Sequence, residues 1–276
     1  MTRMLLIALL LTPAFAQDAR PPDGIVEGEL KPKKKTGNAL LYAIYLPRSF
    51  DPQAPSPLIV AVHGGRGTAL QFAKYLRYFA ESQGAILACP QAYEEIIGVG
   101  ADGTWWRGSA NEVKALERFV AFVKKEYRID RDRVTAIGVG DGGQLAARWA
   151  LSRDRGLQGL VLVNSLWKLS GTMRAKKTTK IYIAASKDGQ DKEGPLSVFA
   201  ARAAQMLRKQ RYPLVKKLYP GKSRSFFHGW EEDFGKAYEW FNGKRDWPKE
   251  LRPKSNLPPP PPGGKKRKKD LPPAPE

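Results

Sequence analysis

Seven short stretches of this chain read as strands, several of them apolar throughout, and the segments between them carry apolar residues at helical spacing. The stretches are residues 39–45, 58–62, 85–89, 134–139, 157–163, 180–185 and 214–218. A strand with no polar face must be covered on both sides, as strands inside a mostly parallel sheet are. Between the stretches, Phe72, Leu76 and Phe79 recur at helical spacing, and so do Val113, Leu116, Val120 and Val123. Leu196, Phe199, Ala203 and Met206 follow, then Trp230, Phe234, Tyr238 and Phe241. Each set is one apolar stripe of a helix and faces a core, so no cofactor is assigned to it. Strands alternating with such helices predict an α/β class, with a mostly parallel central sheet and helices on both faces. Ligands of such a sheet gather beyond the carboxyl ends of its strands.

The ends of the chain read differently. Arg3, the apolar run 4–11 and Ala14-Phe15-Ala16 form the basic, apolar and small-residue parts of a signal peptide over residues 1–16. The run is shorter than the roughly 20 residues that span a bilayer, so no integral membrane segment is expected after cleavage. Export to the periplasm, the cell surface or the medium is expected. Residues 17–37 are rich in Pro and Lys and are expected to be a mobile basic segment. Residues 38–250 hold the folded domain, and 42% apolar content supplies its core. Residues 251–276 contain five consecutive prolines and the cluster Lys265-Lys266-Arg267-Lys268-Lys269. Proline stiffness and like-charge repulsion predict an extended, unpacked tail there.

The formal charge is +20. An exported protein this basic is drawn to anionic envelope polymers, although a solvated tail accounts for the same charge. No nucleic-acid-binding motif accompanies it, so a nucleic-acid partner is not expected. Cys89 is the single cysteine. It falls inside an apolar run and is expected to be a buried strand residue.

Four strand ends carry the chemistry. After 58–62 comes His63-Gly64-Gly65-Arg66-Gly67. Glycines here let backbone N–H groups of Gly64, Gly65 or Arg66 approach a substrate oxygen, as an oxyanion hole requires. After 134–139 comes Gly140-Asp141-Gly142-Gly143, preceded by Gly138. A nucleophile elbow, G-x-S-x-G, needs its flanking glycines because the central residue sits in a strained strand-to-helix turn. Gly138 and Gly142 supply the flanks, and the centre is Gly140, which has no attacking atom. After 180–185 come Asp188 and Asp191, and a later loop holds His228. Gly140, Asp188 and His228 keep the chain order nucleophile, acid, histidine. Trp105 and Trp106 lie in a Gly-rich loop. They suit either stacking on a ligand ring or core packing.

On these residues the chain resembles the secreted α/β-hydrolase esterases that include polyhydroxybutyrate depolymerase-like and feruloyl esterase-like proteins. The likeness runs from about residue 40 to 241. It is densest in Tyr127-Arg128-Ile129-Asp130, Arg133-Val134 and residues 138–143, where the family carries G-x-S-N-G-G. The resemblance implies an α/β-hydrolase fold, with Asp188 orienting His228 as general base. It further implies an oxyanion hole formed by the N–H of Asp141 with that of Gly65 or Arg66, and a small-molecule or polymeric ester or carbohydrate ligand. The departure is Gly140, which makes a degenerate, ligand-binding protein the expectation.

Other readings of the same residues remain open. Residues 138–143 also match the dinucleotide fingerprint G-x-G-x-x-G. Against it, the next strand ends in Val163-Asn164-Ser165 with no acidic residue for a ribose, the motif is not on the first strand, and export leads away from nicotinamide cofactors. No cofactor is therefore expected. Asp141 becomes the nucleophile if the elbow slips by one residue, with Val139 and Gly143 as flanks and His228 activating water. Migration of the nucleophile to Ser109, Ser186 or Ser225 has no positive sign. His63 is expected to brace its own loop. Neither histidine has an acidic or thiol partner at ligand spacing, so no metal site is expected. In a last reading the protein is an envelope interaction protein acting through its basic tail.

Overall fold

A computed structural model describes residues 21, 23–31, 39–92, 94–95, 104–165, 173–191, 194–222, 226, 229–244 and 246. The stretches expected to form a signal peptide and a Pro/Lys tail, with most of the expected basic segment, lie outside these residues.

The chain runs β1 (Ile25–Leu30), β2 (Leu40–Tyr45), β3 (Ser56–Val62), α1 (Ala69–Ser82) and β4 (Ile86–Pro90). Next come the two-residue strands β5 (Glu94–Glu95) and β6 (Thr104–Trp105), then α2 (Ala110–Glu126), β7 (Ile129–Val139), α3 (Gly140–Leu151) and β8 (Gly159–Val163). They are followed by β9 (Lys180–Ser186), β10 (Gln190–Asp191), β11 (Gly194–Pro195), α4 (Leu196–Lys209), β12 (Leu214–Tyr219) and α5 (Trp230–Phe241). Eight strands form one sheet in the order β1-β2-β4-β3-β7-β8-β9-β12, while β5 pairs with β6 and β10 with β11. From β4 to β12 every pairing in the large sheet is parallel, and β2 alone is reversed, antiparallel to both β1 and β4.

Alternate side chains divide between two cores, as a period of two requires. Leu58, Val60 and Val62 of β3 face α2, α3 and α4. Ile59 and Ala61 of the same strand face α1 and α5. Helix starts are fixed locally: the Thr68 hydroxyl accepts from the Gln71 N–H at 3.1 Å. Ser109 and Glu112 form a reciprocal capping box on α2.

One expectation is corrected. Residues 25–30, assigned to a mobile basic segment, form β1, an edge strand paired with β2. It buries Ile25 and turns Glu27 and Glu29 outward, so it lacks the all-apolar signature that marks the inner strands. Gly28 lies opposite Tyr42, whose ring covers it so closely that no Cβ would fit there without the tyrosine moving.

Candidate functional site

The sharp turn falls where β7 passes into α3. Val139 is extended, and Gly140 has φ of +52°, the left-handed region that disfavours a side chain. Three glycines make the turn possible by packing rather than by dihedral. A Cβ on Gly138 would lie 2.5 Å from the Gly143 Cα. One on Gly142 would overlap the His63 carbonyl oxygen, and one on Gly143 would overlap the Ser165 hydroxyl. Gly140 differs: a Cβ there meets nothing closer than the Gly64 Cα at 3.9 Å. The left-handed residue is thus Gly140 and not Asp141, which lies in the first turn of α3. The one-residue slip needed to put Asp141 at the apex does not occur.

The glycine loop after β3 lies directly on this turn. A Cβ on Gly64 would approach the Val139 carbonyl oxygen to 3.3 Å. The Gly67 N–H closes the loop onto the Gly64 carbonyl at 3.1 Å, carrying the chain through Gly65 and Arg66, whose φ is +66°. His63 braces it. Its Nε2 accepts from the Ala92 N–H at 3.2 Å, so Nδ1 carries the proton and donates to the Gly64 carbonyl at 2.8 Å. The ring is 1% exposed, and burial lowers its pKa to about 4. It is a neutral structural histidine at physiological pH.

Asp141 is half-buried at the head of α3. Burial first and the Asp191 charge second raise its pKa to about 6, against the opposing effect of a hydrogen bond from its own backbone N–H. That N–H is the one the sequence assigned to an oxyanion hole. Asp191 of β10, the competitor of Asp188, is therefore the carboxylate whose charge reaches the turn. Asp188 is exposed, and its Oδ2 accepts from the Gly221 N–H at 3.0 Å while its own N–H donates to the Gly221 carbonyl at 3.2 Å. His228 lies outside the described residues.

Trp106 is corrected. It is 2% exposed, its ring centroid is 5.4 Å from that of His63, and it belongs to the core beneath the loop. No face is left for a ligand ring. Trp105 forms part of β6; its side chain lies outside the described residues. Among the alternative serines, Ser109 caps α2 and the Ser186 hydroxyl bonds the Gly221 carbonyl. Ser225 lies outside the described residues.

Sequence reasoning missed Asn164. It is 4% exposed with φ of +47°, its N–H donates to the Ala184 carbonyl at 2.9 Å and its Oδ1 accepts from the Ser186 N–H at 2.8 Å. It ties the ends of β8 and β9 together beside the turn. An asparagine directly after an apolar strand was the available signal, since its side chain tolerates the left-handed region. No group of three or more His, Cys, Asp or Glu among the described residues could hold a metal ion.

The strand order, the two helical layers and the glycine-flanked turn after the fifth strand of the large sheet define an α/β-hydrolase fold. Solved structures bear this out. A thermostable esterase superposes with a TM-score of 0.58 at 17% identity, covering 80% of this chain and 63% of its own. A ferulic acid esterase does so with a TM-score of 0.61 at 15% identity, covering 79% of this chain and 97% of its own. Esterase 2 of Thermogutta terrifontis gives a TM-score of 0.57 at 17% identity, covering 80% of this chain and 95% of its own. The chain thus spans less than two thirds of the first of these proteins. No family profile and no curated protein matches the sequence.

Proposed function

We propose that this protein is an exported relative of carboxylic-ester hydrolases whose elbow is inert and whose pocket binds, rather than cleaves, an ester or carbohydrate ligand. One observation carries the reading: the left-handed apex of the turn is a glycine, with open space where a nucleophile's Cβ would stand. Acyl transfer needs an atom that can attack. Without it, an oxyanion hole and binding together leave about 10³–10⁴-fold catalysis over water. Asp188 and His228 would keep the acid and base positions, with Gly64, Gly65 and Arg66 lining the oxyanion side. The esterase neighbours support the ester ligand class, and the Arg3, apolar and Ala14-Phe15-Ala16 series supports export.

A second reading has one observation in its favour. Asp141 is a half-buried carboxyl titrating near pH 6 at the head of a helix, a common property of working carboxylates. Here Asp141 would attack from the first turn of α3, one residue past the apex and without the slip, and His228 would activate water.

Hydrolysis of p-nitrophenyl acetate by the mature protein separates the two. The inert reading expects wild type, His228→Ala and Asp141→Asn to run at one common slow rate. Rapid turnover abolished by His228→Ala would sink it, and loss in Asp141→Asn as well would establish the second reading. Gain of activity in Gly140→Ser would show that the remaining groups are still positioned. N-terminal sequencing of exported protein checks the leader, with Gln17 as the expected first residue.

A further inference from the structure

Five large apolar side chains are exposed among the described residues, and two of them, Tyr75 at 47% and Tyr78 at 71%, lie three residues apart on α1. Residues three or four apart on a helix share a face. The outward stripe of α1 reads Gln71, Lys74, Tyr75 and Tyr78, with an amide, an ammonium and two phenol rings but no carboxylate.

Neither ring is loose. Tyr75 stacks on Phe226 with centroids 4.8 Å apart and planes 24° apart, and on Trp230 at 5.6 Å and 20°. Phe226 and Trp230 in turn pack on each other at 4.6 Å and on Phe234 of the core. Tyr78 is held by Arg77, whose guanidinium lies 4.7 Å from the ring centroid and donates to the hydroxyl at 2.8 Å. An aromatic ring backed by packing loses little freedom on binding, so its exposed area converts well into affinity.

We propose that Tyr75, Tyr78 and Lys74 form a binding platform for an anionic polysaccharide, with sugar rings on the tyrosines and a sugar carboxylate on the ammonium. The face of an aromatic ring is negative and attracts the slightly positive C–H bonds that a pyranose presents. Two rings are too small an area for a stable protein partner, which needs about 800 Å² per side, but they match one or two sugar units. Charge selects the class. Lys74 and Arg77 flank the rings, and the chain carries +20 overall. Glu81, the acid of this helix, is already engaged by the Tyr45 hydroxyl and the Arg48 N–H. Glu231 of α5 is an acid whose charge reaches Tyr75. The platform does not depend on whether the elbow is inert.

The test uses the full mature chain and two soluble probes, polygalacturonate and dextran, in titration calorimetry at low and high salt. Polygalacturonate binds and dextran does not. Tyr78→Ala and Tyr75→Ala each weaken binding by about fivefold, a typical worth for one aromatic contact. Tyr78→Phe binds as wild type, and Lys74→Gln weakens binding and flattens its salt dependence. Tyr78 supports no core, so its alanine variant reports on binding even if circular dichroism shows that Tyr75→Ala disturbs packing. Binding by Tyr78→Ala equal to wild type overturns the platform and assigns retention to undirected charge. Equal binding of dextran overturns the anionic class.

Discussion

A methyl group at position 142 and one at position 140 meet opposite surroundings, although both replace a glycine of the same turn. At 142 it collides with the His63 carbonyl oxygen, a backbone atom that cannot move without the loop. At 140 it enters open space and costs only the left-handed backbone, about 1–2 kcal/mol. Gly142→Ala should therefore destabilise by more than about 3 kcal/mol, against the smaller loss for Gly140→Ala. Urea unfolding compares them, and equal losses would contradict the geometry. Two titrations beside the turn oppose each other. Folding keeps His63 neutral down to about pH 4, while the unfolded residue protonates near 6.5, so stability falls on acidification through that window. The full burial of the ring puts the loss at about 3 kcal/mol. Asp141 takes its proton at about pH 6 when folded and at 3.8 when unfolded, so acidification over that range stabilises. Its partial exposure limits the gain to about 1 kcal/mol. Asp141→Asn should raise stability at pH 7 and steepen the loss between pH 6.5 and 4. Thermal melts across that range give the answer, and parallel curves for both proteins would refute it.

Between elements, the docking of α5 rests on a buried polar chain as well as on aromatic packing. The Tyr182 and Tyr219 hydroxyls are 2.8 Å apart, Tyr219 donates to the Asp233 carboxylate at 2.5 Å, and the Lys217 ammonium binds the same oxygen. Tyr182 is fully buried, and Asp233 is 7% exposed. Burial, the neighbouring Tyr182 and the acid push the Tyr219 phenol far up, so its hydroxyl keeps its proton at every physiological pH. Asp233→Ala strands a lysine and a buried hydroxyl and should cost about 2–3 kcal/mol. Its mark should be local: faster amide hydrogen exchange in α5, with β7 unchanged. Uniform loss of protection would mean that α5 does not open on its own. The same level explains what sequence pattern misses. Inner strands announce themselves because both faces are buried, whereas β1 buries Ile25 alone and reads as polar. The pairs β5–β6 and β10–β11 are two residues long and leave no periodicity at all.

For the molecule as a whole, the α/β-hydrolase fold was legible because glycines that packing forces on a tight turn cannot be replaced. The flanks Gly138 and Gly142 were readable for that reason, and the bracing role of His63 was readable from its place directly after an apolar strand. The reach of the Asp191 charge to Asp141 was not readable from spacing, since it depends on how the chain folds after β9. Nor was the burial of Trp106, because a tryptophan in a Gly-rich loop has the same letters whether it faces solvent or core. The side-by-side location of Tyr75, Phe226 and Trp230 joins segments 150 residues apart in the chain, and no local pattern carries it. The room left above Gly140 has an evolutionary corollary. A glycine codon ending in a pyrimidine becomes a serine codon by changing a single base, and here the substituted side chain would find its seat already shaped. On the inert reading, one nucleotide would then separate this turn from one that carries a hydroxyl.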